Sequence, residues 1–109
     1  SDVHLTSVTF ATQNSANIDI KKLLADSETM SIQSPASMEA GTIEVSYDGT
    51  NFFTWQIPVG VTMTDVAYPA ASKAGQYPVP AYPFMRFHVT AGAPGASRTI
   101  NMGKQCQLT

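Results

Sequence analysis

Residues 42–57, TIEVSYDGTNFFTWQI, decide the fold class. Ile43, Val45 and Tyr47 alternate with Thr42, Glu44 and Ser46, the period of two that sends successive side chains to opposite faces of a half-buried strand. Asp48-Gly49 then interrupts the alternation. Glycine enters positive φ without the clash a Cβ would make, so this pair marks a structural turn. Beyond Thr50-Asn51 the alternation resumes, with Phe53, Trp55 and Ile57 on one side and Phe52, Thr54 and Gln56 on the other. The segment is a β-hairpin with a loop of two residues or more, and its phase assigns Trp55 to the core.

The same period continues on both sides. Towards the N-terminus, Met30 and Ile32 alternate with polar neighbours until Pro35 ends or bends the strand. Residues 18–24 (IDIKKLL) suit a helix and a strand equally. Val3 and Leu5, then Val8 and Phe10, alternate with a phase slip between them that a bulge near Thr6-Ser7 would absorb. Towards the C-terminus, Pro58 stops the hairpin strand, and Val59, Val61 and Met63 restart the alternation up to a turn near Thr64-Asp65. Pro69, Pro78, Pro80 and Pro83 make the next stretch an extended crossing or an edge, because proline cannot donate to a ladder from the middle of a sheet. Met85, Phe87 and Val89 form a further strand with Arg86 and His88 on its other face. Residues 91–97 (AGAPGAS) read as a loop, and Ile100 and Met102, with Cys106 and Leu108 beyond, line the last strand. Seven or eight short strands without a repeat predict one all-β domain over residues 1–109, a two-sheet β-sandwich of jelly-roll type.

Composition narrows the partners. Only 13% of the 109 residues are charged, against roughly 25% in an ordinary soluble domain. A surface of small and neutral polar groups loses little ionic hydration on docking, which suits a subunit with permanent neighbours; a low-charge monomer is the plainer alternative. A net charge of −2 and no basic run beyond Lys21-Lys22 speak against nucleic acid, which needs cations gathered on one face. No apolar run approaches membrane-span length, and no signal peptide is visible. The single cysteine, Cys106, allows no internal disulfide. A start at Ser1 fits intracellular synthesis with the initiator Met removed, and a processed chain would begin the same way.

Catalytic chemistry finds little support. His4 and His88 sit in no nucleophile–base motif, and His4, His88 and Cys106 lie too far apart in sequence for a zinc pattern. Glu39, Glu44, Asp48 and Asp65 do not form a calcium loop, and a carboxylate pair formed only in the fold cannot be read from sequence. The expectation is a protein without catalytic residues, cofactor or metal. Binding is the better prospect: Tyr68, Tyr77 and Tyr82, in or beside the proline-rich crossing, together with Arg86 and His88, form the candidate interaction surface.

Residues 30–55, MSIQSPASMEAGTIEVSYDGTNFFTW, resemble a pattern of small structural proteins of tailed bacteriophages. In that pattern an apolar strand leads through a proline and small residues to a strand ending in S-x-DG-x-x-F/W. The likeness continues through GQYPVPAYPF, MRFHV and RTINMGKQ, covering about residues 28–105. The resemblance implies a β-sandwich virion protein of the capsid decoration (cement) type, made in the host cytoplasm and seated on the outer surface of the capsid. Its partner would be the major capsid protein. A head, neck or tail accessory role stands close behind, and a carbohydrate-binding or host-attachment module is the alternative from another class. Cement proteins are commonly symmetric oligomers, with a trimer favoured here over a dimer. Residues 1–25 fall outside the likeness, as an arm or an exchanged strand.

Overall fold

The alternation around residue 42 is borne out in a computed structural model, which describes residues 3–24 and 27–105. The elements in chain order are β1 (Val3–Phe10), β2 (Ile18–Asp19), α1 (Ile20–Leu24), β3 (Thr29–Gln33), β4 (Gly41–Ser46) and β5 (Phe53–Thr54). They continue as β6 (Gln56–Val59), β7 (Thr62–Asp65), β8 (Ala74–Pro78), β9 (Phe84–Val89) and β10 (Arg98–Gln105). Eight of the strands form two antiparallel four-stranded sheets, ordered β1-β10-β3-β8 and β2-β9-β4-β5. Chain order nests the pairs: β1 with β10, β2 with β9, β3 with β8, and β4 with β5. This is the wound double Greek key of a jelly roll. The two remaining strands, β6 and β7, make a separate hairpin inserted between β5 and β8.

The core lies between the sheets and consists of the inward residues that the period of two selects. Ile32, Ile43, Met85, Phe87, Val89 and Ile100 are fully buried, with Met30, Val45 and Met102 beside them. Phe87 ties the layers together, stacked on Phe10 and meeting the edge of Tyr68. Ambiguous residues 18–24 divide: the first two form β2 and the rest form α1, where Asp19 accepts the Lys22 amide at 3.0 Å as a helix cap. Ile20 and Leu24 turn inward.

Three local expectations change. First, β1 pairs with β10 in unbroken register from Val3↔Gln105 to Phe10↔Arg98, with no bulge at Thr6-Ser7. Val8 and Phe10 face inward, and Leu5 is left on the outside. The part of residues 1–25 that is described thus contributes an edge strand, β2 and α1. Second, Pro58 lies within β6, opposite Met63, and Val59–Met63 is no continuous strand. The chain reverses at Gly60-Val61 between paired Val59 and Thr62, with Gly60 at φ 64°. Glycine at the first position of a two-residue hairpin loop matches the strand twist. Third, these short pieces bring the strands among the described residues to ten. The proline-rich stretch does form an edge strand, β8, and the positions of Cys106 and Leu108 lie outside the described residues.

Candidate functional site

The turn at residues 47–52 is held by its own polar groups. Ser46 Oγ accepts the amides of Asp48 and Gly49 and donates to Asp48 Oδ1 at 2.9 Å. The Asp48 carboxylate accepts the amides of Asn51 and Thr50, both at 2.8 Å, and the Asn51 side-chain amide. These donors, the Asn51 amide foremost, hold its carboxyl well below the usual carboxylate range. Gly49 takes φ 77°. Asp48 and Gly49 are therefore structural, as their spacing implied.

The five residues of the expected interaction surface do not form one surface. Tyr68 is buried, its hydroxyl donating to the Glu39 carbonyl at 2.7 Å, and burial pushes that hydroxyl up to about 12. Its ring is a core residue, unable to meet a partner. Tyr77 is half-buried and donates to the Ala67 carbonyl. Arg86 and His88 share the outer face of the second sheet, where Glu44 joins them. Arg86 Nε donates to Glu44 Oε1 at 2.7 Å, with the guanidinium 4.1 Å above the Phe52 ring. His88 Nδ1 lies 2.6 Å from Asn14 Oδ1 and 3.7 Å from Glu44 Oε2. A second ion pair, Arg98 with Glu39, pins the loop before β10, and the Arg98 bond and the Gly95 amide lower the Glu39 carboxyl to about 2. Each of these charges already has a partner. Among the described residues no three His, Cys, Asp or Glu side chains are grouped to hold a metal ion, and no helix is long and apolar enough to cross a membrane.

Tyr82 alone of the five leads to an open site. Its ring lies 5.0 Å from that of Tyr47, and both line a cleft of about 300 Å³ with Phe53, Trp55, Met63 and Gln56. Phe53 pairs with Val45 across the ladder and shares its inward face. Val45 is buried, yet Phe53, on the edge strand, is 70% exposed. Tyr47, just past the end of β4, is 76% exposed. Beyond the cleft the β6–β7 hairpin carries Met63 on the face of Gln56 and Pro58 and Val59 on the opposite face, and it ends in a fully exposed Val61 at its tip. Among the described residues, five of the six exposed large hydrophobic side chains fall in this short stretch, and Leu5 is the sixth. No charged side chain lines the cleft.

The sequence carried one signal for this patch that period alone concealed: glycine between two valines, Val59-Gly60-Val61, is a turn inside an alternating run. The exposure of Phe53 and Tyr47 had no local signal, since their phase equals that of core residues. No protein-family model, curated protein sequence or solved structure matches the chain.

Proposed function

We propose that this chain is a structural virion protein, a capsid decoration protein that docks on assembled subunits of the major capsid protein at the outer surface of the head. One observation carries the reading: the exposed apolar hairpin and aromatic cleft formed by Tyr47, Phe53, Val59, Val61, Met63 and Tyr82. Exposed apolar and aromatic side chains gathered in one region, unlike single scattered ones, mark interaction sites. Aromatic anchors in a charge-poor setting are the usual centre of a stable interface. The low overall charge and the jelly roll, an architecture shared by capsid and lectin domains, agree with this. Fold by itself assigns no function, so the patch is the argument. A neck or tail accessory protein would use the same patch on a different assembly.

The test is co-sedimentation with shells assembled from the major capsid protein encoded nearest this chain. Wild type should pellet with shells and stay in solution with unassembled subunits, and shells carrying it should rupture at a higher temperature. Val61→Asp and Phe53→Asp should abolish pelleting while leaving the circular dichroism spectrum intact. Undiminished pelleting of both variants, or none by wild type, would overturn the reading.

The carbohydrate-binding alternative is favoured by one feature, the Tyr47–Tyr82 pair over a cleft that also presents Gln56 and Thr54. Sugar rings stack on such aromatic faces and take hydrogen bonds from such amides. A glycan array on which wild type binds and Tyr82→Ala does not would favour that reading over capsid docking.

A further inference from the structure

The two sheets have four edges, and three of them are blunted. β2 and β5 are only two residues long, and β8 has five residues and ends on Pro78, which has no N–H to donate. The fourth edge, β1, runs for eight residues in unbroken register with β10, without proline, bulge, Asp, Glu, Lys or Arg. In an antiparallel ladder alternate residues aim their N–H and C=O groups away from the partner strand. Among the described residues no strand pairs with β1 on that open side. Long, flat, neutral edges are templates for further pairing, and proteins that stay monomeric usually spoil them with charge, proline or a bulge. None of those devices is present in β1.

We propose that β1 is a dimer seam, at which the β1 strands of two copies of this chain pair antiparallel about a two-fold axis normal to the sheet. The two four-stranded sheets become one of eight. A second copy is the occupant that the strand's own pattern fits. Antiparallel self-pairing sets identical strands face to face, so any charge on the strand would stand near its like, and cross-strand like charges destabilise. β1 has no Asp, Glu, Lys or Arg to repel. Residues opposite across the seam share a face, so Leu5, Ser7 and Thr9 meet one another's counterparts on the outer face. Leu5 gains most. Its partner within its own chain is Gly103, which has no side chain to cover it, and it is 77% exposed. A two-fold seam uses the same patch on both copies and closes the assembly, leaving no further β1 edge to propagate. The seam makes the chain a dimer in place of the trimer favoured from its sequence. It rests on the fold alone and is independent of capsid docking through β6–β7.

Sedimentation equilibrium of the whole chain, from micromolar to submillimolar concentration, tests the seam. Wild type should reach twice the chain mass of 11.7 kDa. Ser7→Lys, which brings ammonium groups together at the seam, should sediment as a folded monomer, while Gln76→Lys on the opposite edge should remain dimeric. If Ser7→Lys does not fold, amide hydrogen exchange of wild type decides the question: alternate β1 amides should become protected as concentration rises. A wild type that is monomeric or trimeric, a dimer unaffected by Ser7→Lys, or a dimer with unprotected β1 amides would overturn the proposal. Val61→Asp should lose shell binding and stay dimeric, which separates failure of this seam from failure of the docking reading.

Discussion

Trp55 and Phe53 share a phase in the sequence but are 6% and 70% exposed in the fold, so truncating each to alanine separates periodicity from true burial. A tryptophan side chain buries roughly 150–250 Å²; at about 25 cal/mol per Å², discounted by 10–40% for a compact denatured state, removing it costs about 2–6 kcal/mol, and truncations of buried aromatics to alanine fall at about 3–5 kcal/mol. One side of Trp55 borders the open cleft, where neighbours and water can close the void, which favours the low end. For a domain of this size about 3 kcal/mol corresponds to a fall in Tm of roughly 12–24 °C. Phe53 hides less than a third of its ring, and the same reasoning gives about 1 kcal/mol or less for Phe53→Ala. Trp55 is the only tryptophan, so fluorescence cannot follow both variants. Urea unfolding should be read by far-ultraviolet circular dichroism, with equal m-values checking that the denatured state is unchanged. Similar losses for the two variants, or a Trp55→Ala cost below about 1 kcal/mol, would refute the placement of Trp55 in the core and with it the argument that Phe53 is held open for a partner.

Gly49→Val should cost about 1–3 kcal/mol, because a β-branched residue resists the φ of 77°, while a Cβ there would reach only ordinary contact with the Phe84 ring; a wild-type thermal midpoint would contradict the turn. Gly41→Ala should leave little folded protein, since a Cβ there would run into the His88 carbonyl and the Tyr68 ring; a soluble variant with an unchanged spectrum would show that β4 can shift. The Glu39 carboxyl is lowered from 4.5 to about 2 in the fold, so the stability it contributes is full above its unfolded value and is lost as pH falls from 4.5 towards 2. Wild type should therefore exceed Glu39→Gln in urea midpoint near neutrality and lose that margin across this window, and a margin unchanged down to pH 2 would dismiss the Arg98 pairing as its source.

How far the fold was legible depends on whether a neighbour covers each face. β3, β4, β9 and β10 are covered on one side by the opposite sheet, so their alternation in sequence equals their burial, and Met30, Ile43, Phe87 and Ile100 fall inside as the period requires. Asp48-Gly49 was legible because its chemistry is local: a short carboxylate bonds the amides two and three residues on, and only glycine takes the following φ at no cost. β1 misleads because Leu5 is apolar and faces out, so the pattern suggests a slipped phase where the backbone has none. Residues 59–63 mislead because valines flank the turn glycine and keep the alternation unbroken. The candidate site was the least legible part. Tyr68 looks like its fellow tyrosines but packs against Phe87, while Tyr47 and Phe53 carry core phase yet lie where the opposite sheet does not cover them. These differences are made by packing between distant segments and leave no trace in a local window.

The scarcity of charge acquires a structural meaning once the ion pairs are placed. Arg86 with Glu44 and Arg98 with Glu39 commit four of the 14 charged residues to contacts within the chain. Neither the aromatic cleft nor strand β1 carries Asp, Glu, Lys or Arg. On the outer face of the first sheet, side chains such as Ser7 with Asn101 and Thr9 with Thr99 bond one another across the ladder, so polarity there is already satisfied without ions. Association at such surfaces gains from apolar burial and backbone pairing and strips almost no ionic hydration. It should accordingly be nearly indifferent to salt. Raising sodium chloride from about 0.05 to 0.5 M, which shortens the screening length from more than 10 Å to about 4 Å, should leave the dimer and shell affinities within about twofold. A steep fall in either affinity would mean that charges outside these surfaces carry the contact, and the apolar hairpin would lose its place as the docking element.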